Sequence, residues 1–170
     1  VQRLLSDVET EVVEYKSAKN NFDFDDLGKY FSALSNEANL RHADAGWLLF
    51  GVRNDRTICG TGYRKEAHEP SVGLRKLKHE VALYTNSGMT FEEIYELTIE
   101  RQRVVVFQIP PASFATPTTW KGVPYSRENE SIVQMPAFKL TAIYSQARPD
   151  WSSQLAYDAN VGDLDSDAVA

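Results

Sequence analysis

The chain has 170 residues, 42% of them hydrophobic and 25% charged, with a net charge of −6, the balance of a soluble globular domain large enough for a real core. No apolar run reaches the ~20 residues that span a bilayer, the start VQRLLSDVETE has no signal-peptide core, and one cysteine with three histidines supports neither an internal disulfide nor a zinc centre; the chain reads as cytoplasmic. The five aspartates after Arg148 leave 19 acidic against 18 basic residues in positions 1–148, a net of −1, so the body is nearly neutral and carries no strong electrostatic footprint for a polyanion.

In chain order, TEVVEYKSA alternates as a strand does, with Val12 and Tyr15 apolar and Val13 turned to a second layer. NNFDFDD supplies turn residues and helix-start acids. A helix is expected from about Phe24 to about Leu40, since Leu27, Tyr30, Phe31, Leu34 and Ala38 recur at helical spacing. RHADAG ends it. GWLLFGV is a short apolar run bounded by glycines, read as a buried strand, and TICGTGY as its hairpin partner across the turn RNDR. EPSVGLRKLKHEVALYTNSG reads as a second helix with Pro70 in its first turn and an apolar stripe of Leu74, Leu77, Val81 and Tyr84. TFEEIYELTIER and RVVVFQIPP form a hairpin about the turn ERQR. A long loop follows, with a short extended piece at Val123–Arg127, and PAFKLTAIYSQA is a final short helix. The expected fold is a single α/β domain over 1–148. It has a mixed sheet of about five to six strands, two main helices and a short C-terminal helix. Residues 149–170, rich in Asp, Ser and Ala, read as an acidic linker or frayed end.

No Walker loop, GxGxxG, HExxH or GxSxG is present. Cys59 reads as a small buried hydrophobe, His42 and His79 as helix-end surface residues, and His68 as a loop residue. The stretch ETEVVEYK, residues 9–16, is richer. On a strand Glu14 and Lys16 share a face, and Glu9 lies five residues earlier. Two carboxylates with an ammonium suit a hydrolase that holds a divalent metal; the alternative is the solvated face of an ordinary strand. In TPTTWKGVPYSRENES, Trp120 and Tyr125 interleave with Lys121 and Arg127, a pattern that stacks bases and holds phosphates. The alternative there is that both aromatics pack the loop against the sheet.

Together, ETEVVEYK, FSALSNEANL, GWLLFGVRNDRTICGTGYR, VVVFQIPPA, TPTTWKGVPYSRENES and DWSS, in that order, resemble the Schlafen-type AlbA domain. The resemblance runs from about Glu9 to Trp151, in the bacterial branch of DNA-binding, transcriptional-regulator and RecG-helicase-related proteins. It implies a nucleic-acid-binding α/β domain at the front of a longer regulator, with a further C-terminal domain behind it and residues 152–170 as the start of a linker. It also implies a second activity, because some Schlafen proteins are metal-dependent RNA endonucleases with three acids. Two of those positions match Glu9 and Glu14, followed by Tyr15 and Lys16. The third falls on Asn54 in GVRN, with Asp55 next. Asn is a weaker ligand for a hard cation than Asp, and Asp55 would need a shifted register to face the same way. SNEANLRHADAGW departs from the family's N-T-x-G-G segment, so the loop between helix and strand is remodelled.

Three readings follow. In the first, the chain binds DNA or RNA with no cofactor: Arg53, Arg56, Lys121 and Arg127 take phosphates and Trp120 or Tyr125 stacks a base. In the second, it is a nuclease in which Glu9 and Glu14 ligate Mg2+ or Mn2+, Lys16 stabilises the transition state and Asn54 or Asp55 completes the site. In the third, it is an interaction module that makes homo-oligomers. None involves a membrane. Arg127 has two expected roles. The polarity of RENES favours exposure to a phosphate; the other role is an internal ion pair with Glu14.

Overall fold

The structure, a computed structural model, describes residues 11–65, 70–129 and 131–147. Glu9, His68, Trp151 and the 149–170 tail lie outside the described residues. In chain order come β1 (Val13–Lys16), α1 (Phe24–Leu40), β2 (Gly46–Phe50), α2 (Pro70–Ala82) and a 3-10 turn (Asn86–Gly88). They are followed by β3 (Glu93–Ile99), β4 (Gln102–Ile109), β5 (Thr119–Trp120), β6 (Val123–Glu128), β7 (Ser131–Gln134) and α3 (Ala137–Tyr144). The mixed α/β architecture, the two main helices and the short last helix agree with the sequence reading. The strands divide between two sheets, β1-β2-β4-β3 and β5-β6-β7, rather than joining one.

In the larger sheet β1 runs parallel to β2, with Glu14 opposite Leu48, while β4 is antiparallel to both β2 and β3. The C-terminal ends of β1, β2 and β3 and the start of β4 therefore share one edge. The expected partner strand TICGTGY is mostly irregular. Only the Val52–Ile58 bridge pairs it to the end of β2. Gly51 (φ +90°) and Gly60 (φ +73°) turn the chain there, because positive φ suits glycine and ends regular pairing. The β3–β4 turn is tight and has Glu100 and Arg101 at φ +51° and +62°. That mirror-image turn matches the strand twist, although it has neither Asn nor Gly to announce it.

α1 lies between the two sheets, which explains its composition. Asp23 caps it by accepting from Asp26 N–H at 3.0 Å. Leu27, Phe31 and Leu34 join Leu48, Phe50, Val105 and Phe107 in the main core, with Leu74, Leu77 and Val81 of α2 beside them. Its other face is buried and polar. Ser32 Oγ donates to Thr118 O (2.7 Å) and accepts from Tyr125 N–H (3.0 Å). Asn36 donates to Thr118 O and Tyr125 O (both 2.9 Å) and accepts from Thr118 N–H (2.7 Å). These side chains satisfy backbone groups of a loop and of β6 that would otherwise be buried unpaired. The opposite face of the larger sheet carries a second cluster, including Tyr15, Leu49, Val104 and Val106.

Candidate nucleic-acid interface

β1 delivers Glu14 into the protein, not to solvent: the residue is 2% exposed. Its solvated-face reading is thereby overturned. Two cations meet its carboxylate. Lys16 Nζ lies 3.0 Å from Oε1, and Arg127 Nη2, from β6, lies 3.0 Å from Oε2. Arg127 is also 2% exposed and donates through Nη1 to Val13 O at 2.7 Å. The expected exposure of Arg127 is thus corrected. On a six-residue strand between α1 and β7, its side chain turns inward, and the buried carboxylate keeps it there. The Glu14–Arg127 contact is an ion pair without hydrogen-bond geometry, since Glu14 Oε2 and Arg127 Nε both lack a hydrogen-bond partner.

Further charges extend this seam. Arg127 N–H donates to Glu37 Oε1 at 3.2 Å, Lys139 of α3 bonds both Glu37 and Arg127 O, and Arg41 pairs with Glu37 and Glu11. Lys16 also sits over the Tyr30 ring, 5.0 Å from its centroid. Burial lowers the Lys16 pKa, but Tyr30 and Glu14 together outweigh it and leave the ammonium raised above its ordinary value.

Whether these residues fit a divalent metal can be judged from charge. Glu14 already faces two cations, so a third, divalent one would enter a net positive surrounding. Asn54 and Asp55 do not join it. They lie in the exposed turn beyond Gly51, where Asp55 Oδ1 accepts from Thr57 N–H at 2.9 Å. That bond holds the Asp55 carboxyl below its ordinary pKa. Among the described residues no group of three His, Cys, Asp or Glu could hold a metal ion. The described residues do not fit a resident Mg2+ or Mn2+.

The second constellation is also largely consumed by the fold. Trp120 is 2% exposed and packs edge-on to Phe24 (5.2 Å) and beside Tyr84 (5.4 Å), so it is not presented to a base. Its seat on α1 exists because residue 28 is glycine: a Cβ there would meet the indole at 2.0 Å. Lys121 is exposed but pairs with Asp25 at 2.5 Å and leans over Tyr84. The Asp25 carboxyl is held below its ordinary pKa chiefly by Lys121. Trp120 Nε1 adds a minor effect from outside hydrogen-bonding geometry. Tyr125 is half-buried against the core. Arg53 is exposed and Arg56 half-buried in the 53–56 turn; neither has an ion-pair partner among the described residues.

The sequence reading passed over four cations that come together. Lys19, Lys65, Arg101 and Arg103 line a cleft of about 630 Å³ at the shared edge of the larger sheet, with Glu96 as its carboxylate. They come from three segments far apart in sequence, so no local pattern could show them.

A family model described as Schlafen, AlbA_2 matches residues 9–136. The crystal structure of the DIP2311 protein from Corynebacterium diphtheriae is similar over 86% of this chain at 14% identity, with a TM-score of 0.56. This chain covers 27% of that protein's length. The solution structure of the N-terminal domain of a RecG-related protein from Nitrosomonas europaea is similar over 76% of this chain and 86% of its own, at 18% identity and a TM-score of 0.47. No curated protein matches the chain. No helix among the described residues is long and apolar enough to cross a membrane.

Proposed function

The chain belongs to the Schlafen, AlbA_2 family, and from that premise we propose that it is a nucleic-acid-binding module that acts as part of a regulatory protein. The observation that carries this reading is the extent of the family match, which spans residues 9–136 and so takes in both sheets and α1 and α2. The charge arrangement supports binding over cleavage. Glu14 serves the fold through Arg127 and Lys16, and the position expected to hold a third acid is Asn54.

Binding of this kind is dominated by phosphate contacts, with dissociation constants of about 10⁻⁴–10⁻⁶ M for non-specific sites at physiological salt. The test is an anisotropy titration of labelled single-stranded DNA, duplex DNA and RNA at low salt in EDTA. Saturable binding to at least one is expected. Absence of binding to all three overturns the reading. Divalent-dependent RNA cleavage that disappears in Glu14→Ala, while that variant remains folded, overturns its non-catalytic part.

A further inference from the structure

Many cations of this protein are already matched. Lys29, Arg41, Arg64, Lys78, Lys121, Arg127 and their like sit against carboxylates. Lys19, Lys65 and Arg101 have no ion-pair partner among the described residues, and all three line the same cleft. Arg103, the fourth, braces its floor: Nε meets Glu96 at 2.5 Å, and Nη1 donates to Thr61 O (3.2 Å) and Tyr63 O (2.9 Å). Its Nη2 is buried with no hydrogen-bond partner. Since Glu96 is matched by Arg103, the cleft keeps the three remaining positive charges uncompensated.

The walls are fixed in place. Thr61 Oγ1 donates to Ala18 O at 2.5 Å and Thr61 N–H to Arg103 O at 2.9 Å, which ties the strand ends together beneath Lys19 and Arg101. The mirror-image turn at Glu100–Arg101 sets Arg101 at the rim. The lining contains no aromatic side chain, so it offers charge and hydrogen bonds but no surface on which a base could stack. A volume of about 630 Å³ falls within the ~300–1,000 Å³ of small-ligand sites, which suits a short stretch of sugar and phosphate.

We propose that the cleft formed by Lys19, Lys65, Arg101 and Arg103 grips the phosphodiester backbone of nucleic acid without reading its sequence. This rests on the nucleic-acid reading above and moves the contact surface away from the Trp120–Arg127 segment. Three phosphate contacts predict a slope of log K against log salt of about −2 for single strands and nearly −3 for duplex DNA. The measured slopes separate the two sources of the same backbone.

The test compares the full chain with a triple variant, Lys19→Gln, Lys65→Gln and Arg101→Asn. Asn tolerates the left-handed turn conformation. Anisotropy with a labelled single-stranded oligonucleotide and its duplex, at 50 and 200 mM salt, reads affinity and slope; a thermal melt confirms folding. The expected result is an affinity loss of at least about tenfold at the lower salt and a slope shallower by about 2. The control Arg53→Gln/Lys121→Gln should change little. If the unmodified chain binds but the folded triple variant binds equally well with the same slope, the cleft assignment is overturned while the nucleic-acid reading stands. A large loss in the control with none in the triple variant overturns it likewise. If the unmodified chain binds neither oligonucleotide, the cleft assignment falls, and the nucleic-acid reading falls with it when RNA is not bound either.

Discussion

Arg127→Ala is the substitution that best separates architecture from recognition. In the structure its guanidinium holds Glu14 Oε2 at 3.0 Å and Val13 O at 2.7 Å. The substitution leaves a buried carboxylate short of one partner and a buried carbonyl short of its donor. Breaking a buried ion pair from one side costs about 3–5 kcal/mol. Glu14 keeps Lys16 at 3.0 Å, so the lower end, about 3 kcal/mol, is expected. For a chain of this size each kcal/mol moves Tm by about 2–4 °C, which gives a fall of about 6–12 °C. A double variant, Glu14→Leu/Arg127→Met, should recover much of the loss, because replacing both partners by apolar groups is often nearly neutral. Thermal denaturation followed by circular dichroism measures both. An Arg127→Ala protein that melts within about 1 °C of the parent, yet binds nucleic acid more weakly, would refute the placement of Arg127 as an internal partner.

Gly28→Ala should destabilise the chain by about 1–2 kcal/mol in chemical denaturation, although alanine is the better helix former by about 1 kcal/mol. The new Cβ would stand 2.0 Å from the Trp120 ring and force the indole off its seat; a more stable Ala variant would count against that packing. Asp23→Ala should cost about 1 kcal/mol by removing the α1 cap, which the same assay reads. Tyr63 is buried, and burial raises its phenol above the ordinary value of about 10 despite the opposing effect of Arg64. Its neutral form is favoured by the fold, so its share of stability is complete below the ordinary pKa and is lost as pH rises through the folded one. Phenolate absorbance should show a late-ionising component that is lost in Tyr63→Phe and restored to normal by unfolding. Lys121→Ala should return the Asp25 pKa upward towards its ordinary value in carboxyl NMR titrations, since Lys121 is the main cause of its depression.

The elements that repeat a period over many residues were legible in the sequence. α1 occupies Phe24–Leu40 as its apolar spacing requires, and the β3–β4 hairpin follows from VVVFQI beside the alternating EIYELTI. The division into two sheets was not legible, because it depends on α1 burying a polar face. Ser32, Ser35, Asn36 and Glu37 look like solvated positions until the backbone groups they bond are in view: carbonyls for the first three and the Arg127 N–H for Glu37. The availability of Arg127 and Lys121 was misread for a related reason. A local stretch shows which residues are charged but not which of them are already paired. Arg127 and Lys121 have partners 113 and 96 positions earlier in the chain, at Glu14 and Asp25. The three unpaired cations of the cleft are spread between Lys19 and Arg101 in the chain and meet only at the sheet edge.

The same distinction bears on the net charge. A total of −6 acts on an approaching polyanion only within the screening length, about 10 Å at 0.1 M salt and about 30 Å at 0.01 M. At moderate salt a nucleic acid at the cleft responds to Lys19, Lys65 and Arg101. At very low salt it also feels the net charge of the whole chain, to which the five aspartates of the tail contribute −5. Counterion release strengthens binding as salt falls, and long-range repulsion should offset part of that gain. Log affinity against log salt should therefore be straight at and above about 0.1 M and flatten towards 0.01 M. Asn in place of Asp150, Asp158, Asp163, Asp165 and Asp167 would bring the net charge from −6 to −1 and should straighten the low-salt limb. Parallel titrations of the parent and the neutralised protein across that range decide the matter. A parent plot that is already straight down to the lowest salt would show that the net charge exerts no influence at the binding surface.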